Sequence, residues 1–112
     1  MRTAIQESLR ALTVRLARLY EAGHYREALR LAAEELPPPD EVAGAPESAA
    51  TLHLLANLHR ELGEYARAEE YYLHALGGLA AAPGKAHPAY ASALSDLGRL
   101  CELAGRYDRA EA

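Results

Sequence analysis

Leucine and isoleucine recur along the chain at steps of three or four positions, which places their side chains on one side of an α-helix. Three series show this spacing: Ile5, Leu9, Leu12, Leu16 and Leu19; then Leu52, Leu55, Leu58 and Leu62; then Leu94, Leu97, Leu100 and Leu103. A glycine follows each series, at Gly23, Gly63 and Gly105. Glycine is a favoured left-handed helix stop because it has no Cβ. The pattern therefore predicts three amphipathic helices that end at these glycines.

A second helix is predicted after each glycine. The first runs from about Tyr25 to Glu35, and the prolines at 37–39 end it because proline cannot donate the next helical hydrogen bond. The next begins at Tyr65 and turns inward Ala68, Tyr71, Tyr72, Ala75, Leu76 and Leu79. We expect Gly77 and Gly78 to weaken the end of that helix. Residues 107–112 read only as the start of a further helix.

The stretch from Pro46 to Glu70 is written again 42 positions later, from Pro88 onward. A fixed period of this length indicates stacked units, because one helical hairpin cannot bury its apolar side alone. We predict an all-α, right-handed solenoid of about two and a half antiparallel hairpins. Its parts are a degenerate capping repeat (1–36), a Pro-rich linker (37–45), a second repeat (46–86) and a third repeat truncated in its second helix (87–112).

Composition narrows the class of partner. The net charge is −4 over 112 residues without a basic block, which argues against nucleic acid or an anionic membrane. The single cysteine, Cys101, excludes a disulfide framework and makes the cytoplasm the expected compartment. No apolar run is long enough to span a bilayer. Abundant alanine, with arginine as almost every basic residue, hints at a GC-rich bacterial genome.

The pattern L-x-x-L-[AG]-x-L-x-x-x-x-G-x-Y-x-x-A resembles the tetratricopeptide repeat. The second and third units supply it with Leu52, Leu55, Ala56, Gly63, Tyr65 and Ala68, and with Leu94, Leu97, Gly98, Gly105, Tyr107 and Ala110. The 42-residue period, with Gly84, His87, Pro88 and Ala91, is similar to the kinesin-light-chain type of this repeat. The first unit departs from the pattern at Arg15, Ala32 and Glu35, as a more polar capping repeat would.

This resemblance implies a concave peptide-binding groove lined by the first helix of each unit. The positions implied are Thr13, Ala17 and Tyr20 in the first unit, and His53, Asn57, Arg60, Ser92, Ser95, Asp96 and Arg99 in the other two. Asn57 is the best candidate because a carboxamide both donates and accepts hydrogen bonds. Arg60 and Arg99 suit a carboxylate or an apolar stem. The alternative is that all of these are ordinary solvated helix faces.

Two features set the groove apart from known binding patterns. Leu54 and Asp96 stand where kinesin light chains often carry asparagine. The paired lysines that grip chaperone C-terminal carboxylates are missing, so that specificity is not expected.

Signals for catalysis or cofactors are weak, and we predict no enzyme activity, cofactor or metal site. The segment from Gly78 to Ala86 is one residue too long for a phosphate loop and ends without Ser or Thr. His59 and Cys101 occupy equivalent repeat positions, which predicts packing for both. We therefore expect a non-catalytic protein-interaction scaffold. Alternatives are the N-terminal regulatory arm of a larger peptidase or nucleotide-switch ATPase, or self-association through an uncovered third unit.

Overall fold

The computed structural model describes residues 2–36, 46–81 and 84–111 of the chain. These ranges form five α-helices and contain no strand: α1 (Arg2–Glu21), α2 (Tyr25–Glu35), α3 (Pro46–Glu61), α4 (Tyr65–Ala81) and α5 (Pro88–Glu111). The prediction of an all-α helical solenoid is confirmed. The predicted linker at 37–45, Pro83, and the side chains of Ile5, Tyr107 and Ala110 lie outside the described residues.

Two tight turns connect the helices into antiparallel hairpins. Gly23 joins α1 to α2 with φ of 81°, and Gly63 joins α3 to α4 with φ of 78°. The hydrogen-bond pattern repeats as well, because His24 N–H donates to the Leu19 carbonyl at 2.8 Å and Glu64 N–H to the His59 carbonyl at 2.9 Å. The predicted helix stops at Gly23 and Gly63 are therefore confirmed. Glycine suits these positions because the left-handed conformation is costly for residues with a Cβ.

The predicted apolar stripes pack the hairpins side by side. Leu12 and Leu16 of α1, with Ala28 and Ala32 of α2, bury Leu55 and Leu58 on one side of α3. Ala56 of α3 packs with Ala68 and Tyr72 of α4 and reaches Leu100 of α5. Helix α3 therefore has the core on both sides, as the middle element of a stacked array does. Burial of these side chains, at about 25 cal/mol per Å² of apolar surface, is the main term holding the array together.

Gly77 and Gly78 lie inside the last turns of α4, and the expectation that they weaken its end stays a prediction. The helix continues through both residues to Ala81, with Leu76 and Leu79 buried against Ala49 and Ala93. A Cβ built on Gly78 would lie 3.4 Å from the Ala49 Cβ. This is an ordinary van der Waals distance, so the packing of α4 on α3 does not require glycine at position 78. The burial of Leu76 and Leu79 offsets the low helix propensity of the two glycines.

The C-terminal helix departs from the prediction in two ways. Helix α5 does not stop at Gly105 but runs on to Glu111, since continued helical hydrogen bonds offset the cost of one interior glycine, about 1 kcal/mol. Leu94 is 50% exposed, and Leu103 and Cys101 are also exposed. On α3, the residues equivalent to Gly98 and Cys101 are Ala56 and His59, which pack against Ala68 and Tyr71 of α4. No helix in the described part of the chain covers Leu94 and Cys101 on α5 in this way.

The departures of the first unit compensate each other. Arg15, which replaces an apolar residue, donates to Glu35, which replaces a small one, at 2.7 Å between Arg15 Nη1 and Glu35 Oε2. Both side chains are about half exposed, so the pair contributes only about 0–1 kcal/mol to stability. This polar contact is consistent with the predicted capping role.

None of the helices described is both long enough and apolar enough to cross a membrane.

Candidate functional site

The first helices of the three units are linked directly by polar side chains. Thr13 Oγ1 on α1 donates to the Leu9 carbonyl at 2.7 Å, so it accepts its second hydrogen bond, at 2.6 Å, from Thr51 Oγ1 on α3. His53 Nε2 on α3 lies 2.6 Å from Asp96 Oδ2 on α5. The helices α1, α3 and α5 thus form one continuous surface, as the resemblance implies.

Arg60 is the centre of a polar cluster on this surface. Its Nη1 donates to the Tyr72 hydroxyl at 3.0 Å, and its Nη2 donates to the Tyr20 hydroxyl at 3.3 Å. The guanidinium also lies 3.7 Å from Asp96 Oδ1 and 3.5 Å from Glu61 Oε1. The Arg60 side chain is only 12% exposed. One arginine therefore ties together side chains from α1, α3, α4 and α5.

Asn57 and His53 complete this cluster. The Tyr72 hydroxyl donates to Asn57 Oδ1, and the His53 ring meets the Tyr72 ring edge-on at a centroid distance of 5.9 Å. Since a carboxylate only accepts, His53 Nε2 carries the proton toward Asp96. We call the six residues the groove network; they are Tyr20, His53, Asn57, Arg60, Tyr72 and Asp96.

The phenols of the groove network are held in their neutral form. Burial raises the pKa of Tyr72, and the nearby Arg60 guanidinium opposes this only in part. Burial also raises the pKa of Tyr20, with a further contribution from the Glu61 carboxylate. Both hydroxyls therefore keep their protons at neutral pH, so the Tyr72 hydroxyl donates to Asn57 while it accepts from Arg60.

Beside the groove network lies a cavity of about 460 Å³. We call it the groove cavity; its lining comes from α1, α3, the end of α4 and the start of α5, and comprises Thr13, Ala49, Ala50, His53, Leu54, Asn57, Leu79, His87 and Ala89. Its walls are mainly aliphatic, with polar atoms from Asn57 and two histidines. This volume is within the range of about 300–1,000 Å³ typical of ligand sites.

The structure brings together only some of the residues predicted for the groove. His53, Asn57, Arg60 and Asp96 converge, and Thr13 lines the groove cavity. Ser92, Ser95 and Arg99 are exposed on α5, and no described contact joins them to the groove network. The sequence reasoning missed Tyr72, which it placed in the core. Tyr72 is a core residue whose hydroxyl also belongs to the groove network. The sequence indicates this polar role only through the hydroxyl itself, because a buried tyrosine usually finds a polar partner.

Arg60 and Asp96 are not the free charged side chains that a solvated helix face would present. Each is already paired within the protein. A ligand carboxylate that bound Arg60 would therefore compete with Asp96 and Glu61.

A second cavity, of about 470 Å³, lies between α1 and α2. Its lining mixes both signs of charge: Arg15, Arg18, Leu19, Glu27, Arg30, Leu31 and Glu34.

His59 and Cys101, which were both predicted to pack in the core, differ in their burial. His59 is buried and stacks on Tyr71 at 5.3 Å between ring centroids, with Nδ1 3.0 Å from Glu64 Oε1, so its predicted packing role is confirmed. The same prediction is wrong for Cys101, which is exposed because no described helix covers that side of α5. Within the described ranges, no three histidine, cysteine or acidic side chains cluster as metal ligands would.

Comparison with known proteins agrees with this architecture. A family profile described as "Tetratricopeptide repeat" matches residues 47–112, more than half of the chain. Comparisons with curated proteins and with solved structures give no significant match. The matched range covers the α3–α4 hairpin and α5, where the repeated glycine, tyrosine and alanine positions lie. The chain belongs to the tetratricopeptide repeat family.

Proposed function

We propose that the chain is a non-catalytic scaffold that binds a peptide or a partner helix along the surface of α1, α3 and α5. The observation that carries the proposal is the groove cavity, which opens on this surface and is bounded by all three first helices. Tetratricopeptide repeats generally mediate protein–protein interaction, and a largely preformed concave site suits such a role.

The groove network supports the proposal by fixing the shape of the site before any ligand arrives. Its contacts join four helices, and the Tyr72 hydroxyl of α4 holds Asn57 of α3. A site that is already ordered loses less conformational entropy on binding, which favours affinity. We further propose the kinesin-light-chain type of repeat, a bacterial source and a cytoplasmic location. The alternative is that the chain is the regulatory arm of a larger enzyme and binds its ligand in the same groove.

The groove assignment is tested by blocking it. Ala50 is exposed and lines the groove cavity, whereas Ala33 is exposed on α2 and does not. We expect Ala50→Arg to weaken binding of peptides selected from a displayed random library by about tenfold or more, because the new side chain fills the cavity. Ala33→Arg is the matched control and should leave the affinity unchanged. Equal affinity for both variants and the wild type would place binding elsewhere.

Self-association is a second candidate, favoured by the apolar stripe of α5. Leu94 is half exposed, with exposed Gly98 and Cys101 on the same side of the helix. A second copy that covered this stripe would remove apolar surface from water. We expect concentration-dependent dimerisation in sedimentation velocity under reducing conditions, abolished by Leu94→Lys. A wild-type chain that stays monomeric at millimolar concentration would contradict this candidate.

A further inference from the structure

We propose that the groove cavity binds one uncharged apolar side chain of an extended peptide and selects against acidic and basic side chains at that position. This inference rests on the proposed function and adds the chemistry of the ligand. Three observations carry it: the walls of the cavity, the prior pairing of the nearby charges, and the polar atoms left for a peptide backbone.

The walls of the cavity favour an apolar side chain. Ala49, Ala50, Leu54, Leu79 and Ala89 supply most of the lining, and no charged residue is among the described residues that line it. A charged side chain placed there would lose hydration without gaining an ion pair, which is unfavourable. An aliphatic or aromatic side chain would bury apolar surface instead.

The nearest charges are already satisfied within the protein. Arg60 contacts two phenols and two carboxylates, and Asp96 is held by both Arg60 and His53. A ligand carboxylate that competed for Arg60 would have to displace Asp96, and a ligand ammonium that competed for Asp96 would have to displace Arg60. Either exchange takes one described partner from a poorly exposed charge, so the ligand replaces an existing ion pair and adds none.

The remaining polar atoms match a peptide backbone. Asn57 Oδ1 accepts from Tyr72, and no described contact uses the two amide hydrogens of Asn57, so they can donate to a peptide carbonyl. His53 donates through Nε2, and no hydrogen bond in the described part of the chain uses its Nδ1, which can therefore pair with the peptide backbone. His87 Nδ1 accepts from Ala89 N–H at 3.1 Å, so its Nε2–H is a second donor. A peptide offers carbonyls and N–H groups beside each side chain, whereas a plain hydrocarbon offers neither.

The test uses the full chain, labelled with nitrogen-15, and blocked five-residue peptides. Each peptide is acetylated and amidated and carries alanine on both sides of one central residue: leucine, phenylalanine, serine, glutamate or lysine. Amide shifts of Ala50, Leu54, Asn57 and Ala89 report binding at the groove cavity. We expect the leucine and phenylalanine peptides to bind about tenfold or more tightly than the other three, the discrimination that an apolar pocket gives.

Two variants separate the side-chain contact from the backbone contact. Ala50→Asp should abolish the preference for leucine over serine, and Ala33→Asp, its matched control on α2, should keep it. Asn57→Asp keeps an acceptor for the Tyr72 hydroxyl but removes the amide donors. It should lower the affinity for the leucine peptide and for the phenylalanine peptide to a similar extent, by about fivefold, which corresponds to the loss of one hydrogen bond. Thermal melts monitor the folding of every variant.

The outcomes distinguish this inference from the proposed function. Tightest binding of the glutamate or lysine peptide at the same amides would overturn the inference and leave the scaffold role in place. The inference also fails if no short peptide shifts these amides while a library-selected peptide does. If no library peptide binds the groove at all, the proposed function falls as well.

Discussion

Leu55→Ala should lower the free energy of unfolding by about 2–5 kcal/mol, the range for leucine truncation in a packed core. Leu55 is 2% exposed and lies where α3 meets the first hairpin, in the cluster that contains Leu12, Leu16, Ala28 and Leu58. Truncation removes its apolar contacts and leaves a cavity, because residues from three helices cannot all move in to fill it. Urea denaturation followed by circular dichroism at 222 nm measures the loss.

Leu94→Ala is the matched control for this prediction, since it makes the same chemical change in another leucine of the repeated stripe. Leu94 is half exposed on α5, so its truncation should change the free energy of unfolding by less than about 1 kcal/mol. Similar losses for the two variants would mean that the burial of Leu55 differs from the structure described. A negligible loss for Leu55→Ala would contradict the stacking of α3 on the first hairpin.

Arg60→Ala should have the second largest effect, a loss of about 2–3 kcal/mol. The change removes a charged donor from the Tyr72 and Tyr20 hydroxyls and leaves Asp96 with His53 as its remaining described partner. Poorly exposed polar groups that lose a partner are costly, more so than the net gain from forming the contact. The effect should therefore exceed that of an ordinary surface arginine.

Arg99→Ala provides that comparison. Arg99 is exposed on α5, and no described contact links it to the groove network, so its replacement should change stability by less than about 0.5 kcal/mol. A double-mutant cycle between Arg60→Ala and Tyr72→Phe isolates their coupling, which is expected to be at least about 0.5 kcal/mol for residues in one network. Additive losses would show that the contact between Arg60 and Tyr72 contributes nothing to folding.

The helical hairpins were predictable from the sequence because their causes are local. Steps of three and four apolar positions define α1 and α3, and Gly23 and Gly63 mark turns whose positive φ favours glycine. Gly105 misled the same reasoning. At Gly23 and Gly63 the chain turns because the next helix packs back against the preceding one. At Gly105 the helix continues, since a single interior glycine is tolerated.

The candidate site was less predictable, since its contacts join residues far apart in the chain. His53 and Asp96 were both proposed for the groove, yet nothing in their local sequence shows that they pair with each other. The role of Tyr72 depends on the position of Arg60 across the hairpin. The resemblance implied a groove role for Asn57 and Arg60, which stays a prediction. Only the packed structure shows that Arg60 contacts Asp96 and Glu61 and that Asn57 accepts a hydrogen bond from Tyr72.

The central claim is that the first helices of successive units lie side by side and form the wall of the groove. Thr13 on α1 and Thr51 on α3 test it most directly, because their hydroxyl oxygens are 2.6 Å apart although the residues belong to different units. In a chain with carbon-13-labelled threonine methyls, the account predicts a nuclear Overhauser cross-peak between these two methyl groups. Absence of that cross-peak from a folded, helical sample would contradict the stacked arrangement.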